Sequence, residues 1–225
     1  MRKRDPRKLL PENRPLPARV KIVHVPEQGY APDGTVTTLQ EAEITVPRTT
    51  LDELWRVENL ENLARTYWAF LMRISLGMLK IRYSPDSREI VALGFIPLLR
   101  FHKPEYETSG TKGCVTWRIN KGLLVAPGGR DKGHLQICVI RPEREDGSAE
   151  VTVTVTSEVG GFLPTLSFPG LRKLSELGRW FYRQTQLRAH VIVTHAFLKS
   201  LGNLELERSQ VGALRVQPPA EEPVA

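Results

Sequence analysis

The sequence of 225 residues predicts an α+β fold, with an antiparallel sheet of about seven strands and one long C-terminal helix. Apolar and polar residues alternate in a series of short runs between residues 80 and 158, which is the period of half-buried strands. Turn-forming segments separate these runs, and such short connections favour antiparallel neighbours. After Gly170, roughly thirty residues continue without the proline that would interrupt a helix.

The first predicted strand covers residues 39–46, where apolar and polar side chains alternate until Pro47 ends the run. Thr50 followed by Glu53 has the spacing of a capping box and predicts the start of a helix. We expect that helix to break near residues 58–59. An apolar stripe of helical period then predicts a second helix, marked by Leu60, Leu63, Tyr67, Trp68, Leu71, Ile74 and Met78.

The period changes to two at Lys80, and the turn Ser84-Pro85-Asp86-Ser87 follows. Six further strands are predicted at residues 89–95, 98–106, 113–119, 122–126, 133–141 and 150–158. Alternation assigns one side of this sheet to the core. The residues predicted to point inward include Val115, Trp117, Ile119, Leu135, Ile137, Val139, Val151, Val153 and Val155.

The long C-terminal helix is predicted over residues 171–201 and would be about 45 Å long. Gly202 and Asn203 form a natural stop. At 100° per residue one arc of this helix is apolar and includes Gln184. Its other members are Leu177, Trp180, Leu187, Val191, Thr194, His195 and Leu198.

Both ends of the chain differ in composition from this body. Residues 1–36 are rich in proline and in basic residues, and we expect a flexible basic arm in which residues 20–25 could add an edge strand. Residues 37–204 form the predicted domain, and residues 205–225 form a C-terminal extension and tail. Residues 1–22 carry eight basic side chains against two acidic ones, so most of the net charge of +7 lies in the arm. The body therefore predicts no specific nucleic-acid partner.

Cys114 and Cys138 both fall in predicted strands. We interpret them as two separate small strand residues, because two cysteines make neither a disulfide framework nor a zinc site.

The longest apolar run, residues 67–79, contains Arg73 and is shorter than the ~18 residues of a membrane span. The basic N-terminus lacks the apolar segment of a secretory signal. We therefore expect a cytoplasmic protein.

The order of strand, helical pair, antiparallel strands and long terminal helix resembles the helix-grip arrangement of the START-like (SRPBCC) superfamily. The segment Ile-Thr-Val-Pro-Arg-Thr-Thr-Leu-Asp-Glu-Leu-Trp at residues 44–55 is similar to the opening of these domains, where a strand ends at proline and a helix carrying tryptophan begins. Residues 115–119 and 190–195 are similar to segments of uncharacterised bacterial members. The similarity covers residues 39–204, and the glycine-rich turn of the pollen-allergen branch is not evident.

This resemblance implies a curved sheet that grips the C-terminal helix, with an apolar cavity between them that holds a small molecule or a lipid. We expect Trp117 and Trp180 close to the bound molecule, although large aromatic side chains more often simply fill a core. The predicted ligand-binding residues are Trp68, Phe101, Trp117, Trp180, Gln184, Leu187, Val191, Thr194 and His195.

No catalytic residue, metal site or cofactor is predicted. The five histidines form no pair with metal-ligand spacing, and no Gly-x-Ser-x-Gly segment occurs. One alternative is a polyketide cyclase- or dehydratase-like enzyme that uses His195 as an acid–base group, although a histidine at the edge of a core explains that residue more simply. A second alternative is an interaction module in which the basic arm, residues 1–22, makes a weak contact with an anionic membrane or with nucleic acid.

Overall fold

A computed structural model describes residues 18–24, 29–142, 147–165 and 193–203. This part of the chain contains ten β-strands and two complete α-helices, and residues 193–200 are helical. The strands are β1 (Arg19–His24), β2 (Gly29–Tyr30), β3 (Val36–Pro47), β4 (Leu79–Tyr83), β5 (Ser87–Ala92), β6 (Ile96–His102), β7 (Glu105–Thr108), β8 (Lys112–Lys121), β9 (His134–Ile140) and β10 (Glu150–Phe162). The helices are α1 (Arg48–Leu54) and α2 (Val57–Ile74).

The strands form one antiparallel sheet in the order β1-β3-β10-β9-β8-β6-β5-β4, with β2 paired to β3 and β7 paired to β8. The chain meanders from β4 to β10, and β10 then pairs with β3, the strand that precedes the helical pair. The predicted α+β class with an antiparallel sheet is confirmed.

The described sheet has ten strands rather than about seven. β1 is the edge strand expected near residues 20–25, and β2 is a two-residue addition beside it. The run predicted at residues 98–106 is divided into β6 and β7 near Pro104, because proline lacks the N–H that a ladder needs. The strand predicted at residues 122–126 was wrong. Only Val125 forms a bridge there, to Pro164, and Gly122 has a φ of 151° beside the backbone of Leu98.

One face of the sheet carries the core, as alternation predicted. On β3 and β10, Ile44 lies opposite Val153 and Val46 lies opposite Val151, and all four side chains are buried. The strands β8 and β9 continue this face with Val115, Trp117, Leu135 and Ile137. The inward set predicted from the sequence therefore belongs to one hydrophobic core.

The helical pair begins earlier than the capping-box spacing predicted. α1 starts at Arg48, directly after Pro47, and no side chain caps it, so Thr50 lies inside the helix. The break falls at Trp55 and Arg56, because Arg56 adopts an extended conformation (φ −138°, ψ 150°). The predicted cap at Thr50 and the predicted break at residues 58–59 were therefore each wrong by three residues, because the cap is Pro47 and the break is at residues 55–56.

The apolar stripe of α2 packs on the sheet over most of its length. Leu60, Leu63, Tyr67 and Trp68 are buried, and Leu71 packs against the same core. Beyond the helix end at Ile74, a turn at Leu76 and Gly77 with positive φ redirects the chain into β4. The predicted stripe members Ile74 and Met78 are consequently exposed.

The two cysteines form a disulfide across β8 and β9, where Cys114 and Cys138 lie directly opposite each other. Both are buried strand residues, as predicted, but our interpretation of them as unlinked was wrong. The spacing along the chain could not reveal the pairing, because the register of β8 against β9 creates it. Disulfides are rare in reducing compartments, so this pair weighs against the expected cytoplasmic location.

The C-terminal part of the described chain packs against the same core. In the helical residues 193–200, Phe197 and Leu198 are fully buried, and Leu201 continues the contact in a 3-10 turn, Leu201–Asn203. This turn follows the helix where the glycine and asparagine predicted a stop. Most of the predicted helix, residues 171–192, lies outside the described residues, as do residues 1–17 and the tail from 204 onward. Within the described part, no helix has the length and apolar character needed to cross a membrane.

Candidate functional site

A cavity of ≈ 360 Å³ lies between the inner face of the sheet and the helical pair. The strands β3, β9 and β10 form its floor, α1 and the first turns of α2 form its roof, and the β7–β8 turn and Leu201 close its sides. The described residues that line it are Ile44, Val46, Leu51, Leu54, Trp55, Arg56, Asn59, Leu60, Leu63, Thr108, Ser109, Lys112, Gly113, Val139, Val153, Val155 and Leu201.

The interior of the cavity is apolar. The side chains on its floor alternate along β3 and β10, so that every second residue points into it. The roof is contributed by Leu51 and Leu54 of α1 and by Leu60 and Leu63 of α2. These spacings of three residues place each pair on one face of its helix. A molecule inside the cavity would contact aliphatic groups on both sides.

A corner between the two helices holds the roof in place. The side-chain amide of Asn59 donates to the Leu54 carbonyl at 3.0 Å, and Asn62 donates to the Asn59 side-chain oxygen at 2.9 Å. The Leu54 carbonyl, at the C-terminal end of α1, also accepts the Arg56 N–H at 2.8 Å. Asn59 therefore fastens the end of α1 to the beginning of α2 and is itself satisfied on both polar atoms.

The mouth of the cavity is polar, because its exposed lining residues are Arg56, Thr108, Ser109 and Lys112. In the β7–β8 turn the Ser109 N–H donates to the Lys112 carbonyl at 2.7 Å, and the Lys112 N–H donates to the Ser109 hydroxyl at 3.1 Å. These bonds hold Lys112 at the mouth. A Cβ at the neighbouring Gly113 would lie 3.0 Å from the Leu60 side chain, so glycine permits this close approach of β8 to α2.

Trp55 forms part of the wall where α1 ends. The Arg141 guanidinium lies over its ring, 5.3 Å from the ring centroid, and also lies 4.0 Å from the carboxylate of Asp52. The indole is thus held by a cation–π contact with a residue at the end of β9. Asp52, the acidic side chain on this part of α1, already has a cationic neighbour and does not line the cavity.

Three of the sequence-predicted site residues, Trp68, Phe101 and Trp117, lie together in an aromatic core. The Trp68 ring centroid lies 5.0 Å from that of Trp117 and 5.5 Å from that of Phe101. Tyr67 and Phe197 complete this aromatic core, with their centroids 5.1 Å apart. The three predicted residues are almost fully buried and are not among those that line the ≈ 360 Å³ cavity.

The remaining predicted site residues belong to the C-terminal helix. Thr194 is fully buried near Tyr67, and burial raises the pKa of the Tyr67 hydroxyl to about 12, an effect that the Thr194 hydroxyl partly opposes. His195 is half-buried and is not a lining residue of the cavity. Trp180, Gln184, Leu187 and Val191 lie outside the described residues, so their predicted contact with a ligand stays a prediction.

The residues at the mouth of the cavity were not predicted from the sequence as ligand-binding residues. Trp55 stands in the segment that resembles the START-like opening, so its position carried a signal for the site. Arg56 and Lys112 are 56 positions apart, and neither belongs to a motif. Only the packing of α1 and α2 over the β7–β8 turn brings them to one opening.

Three buried polar side chains continue the inner face of the sheet beyond the apolar floor. Gln40 lies opposite Ser157 on β3 and β10, and Thr38 follows on β3. The Gln40 amide nitrogen and the hydroxyls of Ser157 and Thr38 are inaccessible and have no hydrogen-bond partner among the residues that the structure describes. Such groups usually find a partner, which can be water or a bound molecule.

A metal centre is not formed by the residues described: among them, no three His, Cys, Asp or Glu side chains lie close enough together to hold an ion. The chemistry that the described site offers is therefore an apolar enclosure with a cationic rim.

Comparison with known proteins finds no match among protein-family models and no match among curated proteins. Among solved structures, human STARD10 is similar, with 9% sequence identity and a TM-score of 0.30 over 80% of this chain and 73% of that one. CalU16 from Micromonospora echinospora is similar, with 8% identity and a TM-score of 0.23 over 83% of this chain and 95% of that one.

Proposed function

We propose that this protein binds an apolar small molecule, without catalysis, in the cavity between the inner face of the sheet and the α1–α2 pair. The apolar lining of the ≈ 360 Å³ cavity carries the proposal. Removal of apolar surface from water would drive binding, at about 25 cal/mol for each Å² buried. The sequence predicts the ligand between the sheet and the C-terminal helix. The cavity lies instead between the sheet and the α1–α2 pair.

The volume of the cavity favours a small ligand. Ligand pockets typically enclose about 300–1,000 Å³, and ≈ 360 Å³ lies near the lower limit. A single acyl chain or a small ring system suits this space better than a phospholipid with two chains. The START-like resemblance implies a small molecule or a lipid as the ligand. Of these, the cavity volume favours a small molecule or a lipid with one chain. Membrane contact through residues 1–22 and the cytoplasmic location stay predictions.

A cavity-filling substitution tests this proposal. Val139 points into the cavity from β9, whereas the next residue, Ile140, points to the opposite face of the sheet. We expect Val139→Phe to reduce the uptake of the neutral fluorescent probe Nile red by tenfold or more, because the ring occupies the ligand's space. Ile140→Phe is the matched control and should bind the probe as the unmodified protein does.

Circular dichroism and urea unfolding would verify that both variants keep the fold. Equal uptake of Nile red by the two variants would contradict the proposed location of the site. No uptake by the unmodified protein, tested also with dodecanol, would contradict the proposed function itself.

A further inference from the structure

We infer that the molecule bound in this cavity is a single-chain amphiphile whose anionic head group, such as a carboxylate, lies at the mouth between Arg56 and Lys112. The inference rests on the proposed function and adds the chemical class of the ligand. Its basis is the charge of the lining. Arg56 and Lys112 are the charged residues among the described lining residues, and both are cations.

Neither cation has a partner in the described part of the chain. Some exposed cations of the described chain do have partners: Arg19 lies 2.6 Å from Glu150, and Arg118 lies 2.9 Å from Glu105. No hydrogen bond or ion pair within the described residues involves the side chain of Arg56 or Lys112. Two unpaired like charges at one opening repel each other weakly, and an anion between them would be attracted by both.

The beginning of α2 adds to this positive potential. Arg56 is the N-cap residue of an 18-residue helix, and no side chain caps that end. The partial positive charge of the helix dipole therefore lies at the backbone of Arg56. Glu58, in the first turn of α2, opposes this charge in part, but it is not a lining residue of the cavity.

The arrangement of apolar and charged groups matches the two ends of an amphiphile. The chain would leave water by entering the aliphatic interior, while the head group would remain hydrated at the mouth and pay little desolvation cost. Because Arg56 and Lys112 are exposed, each contact would strengthen binding only by about fivefold or less. Together they would favour an acid over the alcohol of equal chain length by roughly 2- to 30-fold.

The test compares dodecanoate with dodecanol below their aggregation limits, using displacement of Nile red from the full chain. We expect the acid to bind at least about twofold more tightly than the alcohol at low salt, and to lose most of this advantage when the salt concentration is raised. The double variant Arg56→Gln/Lys112→Gln should bind the acid roughly 2- to 30-fold more weakly and leave the affinity for the alcohol unchanged. Acetate at equal concentration should not compete, because a free anion lacks the chain.

The double variant Arg100→Gln/Lys103→Gln is the matched control. It removes the same charge from two exposed residues that do not line the cavity, and should bind both ligands as the unmodified protein does. Equal affinities for acid and alcohol, or an equal loss of acid binding in both double variants, would overturn the inference while the proposed function stands. Binding of neither ligand would overturn the proposed function as well.

Discussion

At the scale of single residues, tryptophan side chains of the described chain have two roles. Some fill the core, and one borders the cavity. Trp117 and Trp68 have almost no exposed surface and pack edge to face with centroids 5.0 Å apart, which is a favourable arrangement for two indoles. Trp55 is half-buried and lines the cavity. The same residue type therefore serves stability at two positions and the candidate site at a third.

Tyr67 in the aromatic core predicts a loss of stability at alkaline pH. Burial raises the pKa of its hydroxyl from 10.0 to about 12, because the phenolate cannot be hydrated there. Between these values the unfolded chain releases the proton and the folded chain retains it, so the free energy of unfolding falls as the pH rises. We expect a decrease of about 1 kcal/mol from this residue between pH 9 and pH 11, measured by urea unfolding.

Tyr67→Phe is the control for that prediction, because it keeps the ring and removes the titrating group. Burial also raises the pKa of Tyr83 and of Tyr106, so the variant should still lose stability above pH 10, but with a shallower slope. An identical slope in the variant and the unmodified protein would show that Tyr67 does not contribute.

At the scale of elements, the corner between α1 and α2 determines the shape of the cavity. Pro47 ends β3, α1 has only seven residues, and the extended conformation of Arg56 separates it from α2. A helix this short has little stability of its own, since isolated helices need about 12–15 residues. The bond from Asn59 to the Leu54 carbonyl and the burial of Leu51 therefore hold α1 over the sheet.

Asn59→Ala should loosen this corner. Loss of the bond to the Leu54 carbonyl is expected to lower the free energy of unfolding by about 1 kcal/mol and to speed the release of Nile red, because the roof of the cavity opens more often. Urea unfolding and stopped-flow fluorescence measure the two effects. Asn120→Ala removes an exposed bond to Asp131 far from the site and should change stability by less than about 0.5 kcal/mol. Equal release rates in the two variants would contradict this role of Asn59.

At the scale of the whole molecule, one sheet forms both the floor of the cavity and a wall of the hydrophobic core. β3 and β10 pair over most of their length, and β1 covers the outer edge of β3. The Ala18 N–H donates to the Gly202 carbonyl at 3.1 Å, so the beginning and the end of the described chain meet beside the sheet. The floor of the cavity therefore consists of the same strands that hold the fold together, and a bound molecule should stabilise the protein as a unit.

Ligand binding should accordingly raise the melting temperature. A molecule that binds only the folded state adds about 2.7 kcal/mol to the free energy of unfolding at a concentration of 100 times its Kd. We expect dodecanoate to shift the thermal transition of the unmodified protein upward, and Val139→Phe to show little shift. Differential scanning calorimetry measures both, and a similar shift in the filled variant would indicate binding elsewhere.

Much of the fold could be predicted because it depends on local patterns. The alternation of Val151, Val153 and Val155 along one strand reveals which side is buried, and the helical period of α2 does the same. The antiparallel order follows from the short turns between the strands. Boundaries such as the start of α1 differed by three residues, because the geometry after Pro47, not the capping spacing, determines where helical hydrogen bonds begin.

The sequence by itself determined the α+β class, the buried face of the strands, the helical pair after the first long strand and the START-like resemblance. The tertiary structure decided which apolar side chains border a cavity, which cations share its mouth, and that Cys114 meets Cys138. The physical reason is that periodicity reports the direction of a side chain relative to its own element. An empty volume, a charge at its mouth and a cross-strand bond depend instead on how distant elements are spaced and in which register they pair.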